Sequence, residues 1–214
     1  MKKPLFLFVF CALGIGFFPG ISVNQLVAQN QGTSLSLTSR YGLTPYEYIG
    51  GFGGGMQITY SFSPHFYLNA GIGAVGGDME VLIADDSYAQ RETFANLDLA
   101  FLWNLTPNQK RNRLGIGIGG SYNRAVFDYA RAVNLPEIDM ATHFADFSML
   151  NLVLEETFFF SDHWGLTGRL TARSSLVEKA VLERNFINDT PRTIGGIRNS
   201  FTIDLGVSYR FRSE

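Results

Sequence analysis

Apolar and polar residues alternate one by one along the last stretch of the chain, from Phe201 to Phe211. Phe201, Ile203, Leu205, Val207, Tyr209 and Phe211 take one parity; Thr202, Asp204, Gly206, Ser208 and Arg210 take the other. A period of two turns one face of a β-strand toward an apolar medium and the other toward a polar one. At ~3.3 Å per residue and a tilt near 40°, such a strand climbs roughly 25 Å, the height of the apolar band on an outer-membrane barrel. The pattern predicts a membrane-spanning β-strand bounded by aromatic residues.

Seven more stretches carry the same period. They run about Ser34 to Leu43, Phe52 to Phe62, Phe66 to Val75, Thr93 to Leu105, Arg113 to Phe127, Phe147 to Phe160 and Trp164 to Leu176. Eight strands is an even number, as a closed up-and-down barrel of this kind requires. Turns after the second, fourth and sixth strands are short (Ser63-Pro64-His65, the basic Pro107 to Arg111, and Ser161-Asp162-His163). The connections Gly76–Arg91, Asp128–Asp146 and Val177–Ile197 are longer and are expected to be loops. This asymmetry predicts short periplasmic turns, longer extracellular loops and both termini in the periplasm. Phe62-Ser63-Pro64-His65-Phe66 echoes Phe160-Ser161-Asp162-His163-Trp164, as two turns in one aromatic girdle or two halves of a duplicated barrel would.

The start of the chain breaks the pattern. Lys2 and Lys3 precede an apolar run from Leu5 to Phe18, Pro19-Gly20 ends it, and Ala28 offers a small-residue cleavage point. This layout predicts a secretory signal peptide over residues 1–28 and one barrel domain over 29–214. Cys11, the single cysteine, would leave with the leader, so no disulfide framework is expected despite export. Beyond the leader, Lys and Arg total 15 against 19 Asp and Glu, which leaves no basic footprint for nucleic acid. Only Lys110 and Lys179 remain as lysines, whereas soluble β-proteins coat their faces and edges with them.

Charges on the polar parity, Arg40, Asp98, Glu155, Arg169, Arg173, Asp204 and Arg210, are expected to face the lumen. There they must pair, since a small barrel interior holds little bulk water. Asp98 and Asp204 are expected near Arg169 or Arg173. Glu155 and Glu156 are adjacent, so strict alternation sends one of them to lipid unless a β-bulge intervenes or Glu156 reaches water at the periplasmic girdle. Gly71-Gly73-Gly76 and Gly115-Gly117-Gly120 have dinucleotide-binding spacing, but no helix pattern follows either. They are better read as thin inward positions facing bulkier neighbours. His65, His143 and His163 lie in separate connections, so no metal or Ser-His site is expected; His143 with Asp146 and Ser148 is the least poor catalytic grouping. Asp78, Asp85 and Asp86 are read as solvated loop charge rather than as cation ligands. No catalytic, cofactor or metal residue is assigned.

With these features assembled, the chain resembles the small eight-stranded bacterial outer-membrane β-barrel family, including OmpA/OmpX-like barrels and the "outer membrane protein β-barrel domain" proteins of Bacteroidetes type. The resemblance implies a transmembrane barrel contacting outer-membrane lipids and lipopolysaccharide, inserted by the barrel-insertion machinery. It also implies that Tyr209 and Phe211 form the insertion signal, although Arg212-Ser213-Glu214 follow them here. The His-x-Ser pair of lipid A-modifying members is missing from this sequence. The expectation is a monomeric Gram-negative cell-envelope protein with a side-chain-filled lumen, not an enzyme, acting structurally or through its loops. Alternatives are passive transport of small solutes, a membrane-embedded lipid-modifying hydrolase, and a soluble lipocalin-like barrel with its apolar face inward.

Overall fold

A computed structural model describes residues 32–45, 50–83, 86–132, 141–184, 192–197 and 199–211, with backbone only for 79–90, 127–132, 141–143, 182–184 and 192–195. The proposed leader and residues 212–214 lie outside the described residues. Ten strands follow in order: β1 (Thr33–Leu43), β2 (Gly50–Ser61), β3 (Phe66–Ile83), β4 (Asp86–Asn104), β5 (Asn112–Ala132), β6 (Ala141–Phe159), β7 (Trp164–Ser175), β8 (Lys179–Arg184), β9 (Arg192–Gly195) and β10 (Ser200–Arg210). Strands β1 to β7 pair in sequence, each antiparallel to the next, and β10 closes the circle by pairing with both β7 and β1. Eight strands therefore form a closed barrel with no free edge inside the ring.

The barrel is apolar outside and polar within. Outward Ile118, Leu205 and Leu37 are 70%, 64% and 60% exposed, whereas Arg169 and Asp204 inside are 2% and 0% exposed. That inversion excludes the lipocalin-like alternative, which needs the apolar face inside. Aromatic residues bracket the apolar wall. Phe66–Phe101, Trp164–Tyr209 and Tyr209–Phe211 meet at ring separations of 5.3, 5.0 and 5.3 Å at the short-turn end. Tyr41 and Phe52 meet at 5.0 Å at the other. The two echoing turns share one local geometry: the hydroxyl of Ser63 accepts from the backbone N–H groups of His65 and Phe66, and that of Ser161 from those of His163 and Trp164.

The strands run farther than the apolar pattern indicates. Residues 76–91, expected as a loop, continue the β3–β4 ladder from Gly76↔Thr93 to Ile83↔Asp86, and β5–β6 pairing persists to Tyr129↔Ala141. Once a hairpin leaves the bilayer both its faces meet water, so the backbone ladder continues while the period-two signature fades. Strands β3 to β6 thus reach 18, 19, 21 and 19 residues, against 11 or 12 for β1, β2, β7 and β10. One side of the wall projects well beyond the other. The connection expected over Val177–Ile197 also contains structure: β8 pairs with β6 (Ala145↔Leu182) and β9 with β8. Gly196, at φ 85°, takes the left-handed conformation that returns the chain toward the barrel mouth.

Glycines set the bore. A Cβ on Gly73 would run into the Arg40 guanidinium, and one on Gly115 into the ring and hydroxyl of Tyr67. Gly115→Ala should therefore destabilise the barrel by about 1–3 kcal/mol. Gly120→Ala, where the nearest atom is Met149 O at 3.7 Å, should be neutral or slightly stabilising. Urea midpoints of the refolded barrel would measure both. Adding Tyr67→Leu should recover part of the Gly115→Ala loss.

Candidate functional site

The alternating pleat of eight strands delivers four arginines (Arg40, Arg113, Arg169, Arg173) and four carboxylates (Glu92, Asp98, Glu155, Asp204) to the buried interior. Burial of this many charges is tolerable only if each meets an opposite charge and further hydrogen bonds. Arg40 grips Asp204 with two donors, Nε to Oδ1 at 2.5 Å and Nη2 to Oδ2 at 3.1 Å. Its Nη1 donates to Asn96 Oδ1 at 2.5 Å, and Asn96 in turn donates to Asp98. Arg173 completes this chain, with Nη2 2.9 Å from Asp98 Oδ2 and Nη1 donating to Thr202 at 2.9 Å. Asn151 closes the other oxygen of Asp98 at 3.1 Å. One connected network therefore ties β1, β4, β6, β7 and β10 across the lumen.

A second group lies nearer the short turns. Glu155 sits 3.6 Å from both Arg113 and Arg169, and accepts a hydrogen bond from Asn69 at 3.0 Å. Arg169 Nη1 donates to Asn69 Oδ1 at 2.6 Å and to Gln57 Oε1 at 3.0 Å. The Arg113 guanidinium lies 4.8 Å above the Tyr67 ring. At the long-strand end an apolar layer overlies the ionic one. Phe94 and Phe147 stack at 6.3 Å, with Ala180 and Ile197 from the last connection among the same buried cluster.

The structure thus groups Asp98 with Arg173, as one expected combination had it, but Asp204 with Arg40. Asp204 and Arg169 are cross-strand partners in register, yet Arg169 reaches across to Gln57 and Asn69. Arg210 departs from the expected lumen ion pair. It lies half-buried at the short-turn mouth, 3.5 Å over the Phe159 ring, within 3.5 Å of the Lys110 carbonyl. Phe211 is an exposed girdle residue against Tyr209. No bulge separates Glu155 from Glu156: Glu155 is buried and Glu156 exposed, with the pleat unbroken.

Arg113, Glu92 and Tyr67 were not singled out from sequence as interior groups. Arg113 adjoins the basic turn, and Glu92 falls between the expected loop, ending at Arg91, and the expected strand, starting at Thr93. Parity was the available signal, since Arg113 shares it with Gly115 and Glu92 with Asp98. Glu92 accepts a hydrogen bond from Thr44 at 2.6 Å. The hydrolase grouping does not assemble, because residues 143 and 146 fall on opposite pleats of β6, and Asp146 is held by Arg124 through two 2.8 Å hydrogen bonds. No group of three or more metal-ligating side chains occurs among the described residues.

Outside the bore, paired charges stand just above the apolar wall. Arg124–Asp146 and Arg91–Asp78 are each cross-strand register partners, at 2.8 and 2.6 Å. The Arg124 guanidinium, helped by the Tyr122 hydroxyl, holds the Asp146 carboxyl below its ordinary range. Arg91 does the same for Asp78.

No family model matches the chain, and no curated protein does. Solved structures do match in fold. A major outer membrane protein from Thermus thermophilus aligns with TM-score 0.62 at 16% identity, covering 84% of this chain and 99% of its own. The outer membrane protein OprG from Pseudomonas aeruginosa aligns with TM-score 0.57 at 10% identity over 87% and 99%. Ail, the attachment invasion locus protein of Yersinia pestis, in complex with the heparin analogue sucrose octasulfate, aligns with TM-score 0.54 at 10% identity over 86% and 100%. This chain has the fold of small eight-stranded bacterial outer-membrane barrels, and its exposed apolar wall is the surface such a barrel turns to lipid.

The charge geometry sets the cost of breaking each kind of pair. Asp204→Ala leaves Arg40 without its carboxylate in the bore and should cost about 3–5 kcal/mol in urea unfolding. Asp78→Asn, in an exposed pair, should leave the midpoint unchanged. The folded Asp146 carboxyl titrates below its unfolded value, so its stabilisation is complete above the ordinary carboxylate range and is lost as pH falls through the depressed one. The difference in urea midpoint between wild type and Asp146→Asn should accordingly hold near neutrality and vanish in acid; a gap independent of pH would mean that the pair does not act through charge.

Proposed function

We propose that this chain is an integral outer-membrane protein whose sealed barrel is a rigid mount for an extracellular sheet, and that its role is structural and interactive rather than conductive. The observation that carries this reading is the interior itself: four arginines and four carboxylates are buried across the bore, beneath an apolar layer. A path for solutes would have to break those pairs. The long-strand side, β3 to β6, faces the cell exterior, and the short turns with both termini face the periplasm. Residues 1–28 act as a cleaved leader, Tyr209 and Phe211 serve as the insertion signal, and the barrel works as a monomer among outer-membrane lipids and lipopolysaccharide. Binding resides on the projecting strands and their connections, where a rigid scaffold exposes variable chemistry. Ail has been seen with a polysulfated sugar. In this chain the 76–91 hairpin has four acidic residues (Asp78, Glu80, Asp85, Asp86) against Arg91, the wrong sign for a polyanion.

Outer-membrane fractions run boiled and unboiled in mild SDS should show a mobility shift, because a closed ladder resists detergent until heated. Purified protein in planar bilayers should give no steady conductance steps. Discrete steps, altered by Arg169→Ala, would replace this reading with passive solute passage. Since the chain beyond the leader has no cysteine, Ser87→Cys and Asn108→Cys give a clean test of orientation. A membrane-impermeant maleimide on intact cells should label the first and spare the second.

A further inference from the structure

We propose that the short-turn half of the bore holds a small monovalent anion, a halide such as chloride, as a fixed counter-ion to Arg113 and Arg169. The balance of charge is the first ground. In the group nearer the long strands, two guanidiniums (Arg40, Arg173) meet two carboxylates (Asp204, Asp98). Nearer the short turns, two guanidiniums share one carboxylate. Glu155 Oε1 lies 3.6 Å from Arg113 Nη2, and Oε2 lies 3.6 Å from Arg169 Nη1. Arg210 adds a guanidinium at the mouth, over the Phe159 ring, where the exposed Asp162 of the neighbouring turn offsets it. One positive charge is left in excess inside, and a buried charge of this kind calls for a counter-charge.

The hydrogen bonds point the same way. Three nitrogen donors of this group find no acceptor among the described residues: Gln57 Nε2, Arg113 Nε and Arg169 Nη2, all on buried side chains. The buried Ser34 hydroxyl on β1 is unpartnered too. Arg169 Nη1 donates to Gln57 Oε1 at 3.0 Å, so the unpartnered nitrogens of these two residues lie in the same part of the bore. Between β7 and β2 the wall is formed by β10 and β1. From the level of Arg210 to that of Asp204, their inward residues are Ser208 and Gly206 on β10 and Ser34, Ser36 and Thr38 on β1. These are short and uncharged, so no carboxylate reaches the two arginines from that side.

The two requirements together select the occupant. Unmet N–H groups need an acceptor, an excess cation needs negative charge, and a single halide ion supplies both. A water molecule would bring two donors of its own to a place already rich in them and no charge. A phosphate would bring more than the one negative charge that is needed. The ion is held rather than conducted, since the Asp98–Arg173 network and the apolar layer close the bore on its other side. The site is the same whichever end of the barrel faces the cell exterior.

The test refolds the full barrel into detergent micelles with gluconate as the only anion, then replaces gluconate stepwise by chloride or bromide at constant ionic strength. The urea midpoint should rise with either halide; once the site is mostly filled, each further tenfold in halide adds ~1.4 kcal/mol by mass action. Gln57→Glu keeps the oxygen to which Arg169 and Asn69 donate and puts a fixed negative charge in place of the unpartnered donor. Its midpoint in gluconate should equal or exceed that of wild type, and its halide response should vanish. Wild-type crystals grown in bromide should show an anomalous-scattering peak within hydrogen-bond reach of Arg169 Nη2 and Gln57 Nε2. A wild-type midpoint that ignores both halides overturns the proposal and leaves only ordered water at those donors. A halide response that survives in Gln57→Glu, or a bromide peak elsewhere, puts the ion outside this site and overturns it as well. Should the variant not refold, the bromide peak alone decides.

Discussion

Inside a bilayer no water is available to a backbone N–H or C=O, so every such group must be satisfied by the chain itself. For a β-protein this demand has one solution, a sheet closed on itself, and β10 supplies the closure by pairing with both β1 and β7. The rest of the molecule follows from that ring. Closure fixes the alternation of inward and outward residues on all eight strands at once. The apolar parity then has to face lipid and the polar parity is forced into a narrow, poorly hydrated bore. Charges delivered there persist as partners of one another, which is why the four arginines and three of the four carboxylates occur in two connected groups rather than singly, the fourth, Glu92, accepting a hydrogen bond from Thr44.

The bore is too small for every inward position to carry a side chain. Arg40 spans toward β4 because Gly73 leaves the room, and Tyr67 reaches past β4 to β5 because Gly115 does. Glycine and guanidinium are therefore two halves of one packing solution. Glu156 shows how strictly the ring enforces its parity. A bulge between Glu155 and Glu156 would take Glu156 out of the lipid, but it would also turn Thr157 and Phe159 outward and break the contact between Thr157 and Thr167 at 2.6 Å. A carboxylate toward the interface costs little by comparison, so the pleat stays regular and Glu156 stays exposed.

Most of the barrel could be read from the chain because lipid on one face and a polar bore on the other write a period of two directly into the residues. The strands from Phe201 and Trp164 onward, with their inward Asp204, Arg169 and Arg173, are examples. Pairing partners were less legible. Arg169 has Asp204 as its register neighbour, yet a long arginine reaches past it to Gln57 and Asn69 on the opposite wall. Sequence distance and parity carry no information about that reach. Arg210 shares the inward parity but lies so close to the mouth that the Phe159 ring becomes its neighbour.

The limits of the strands were the least visible feature, and the reason bears on function. Beyond the apolar wall no lipid faces β3 to β6, so selection for an apolar parity ends there and the sequence comes to look like a polar loop. The backbone ladder has no such reason to stop. Register-matched pairs such as Arg124–Asp146 and Arg91–Asp78 face each other across the ladder there. The same transition removes the closure constraint: below it every strand needs two neighbours, above it one suffices. A sheet that rises on one side of its barrel must therefore acquire edges at the level where the short strands end. Among the described residues one edge is taken up by β8, and the other belongs to an acidic strand, β3.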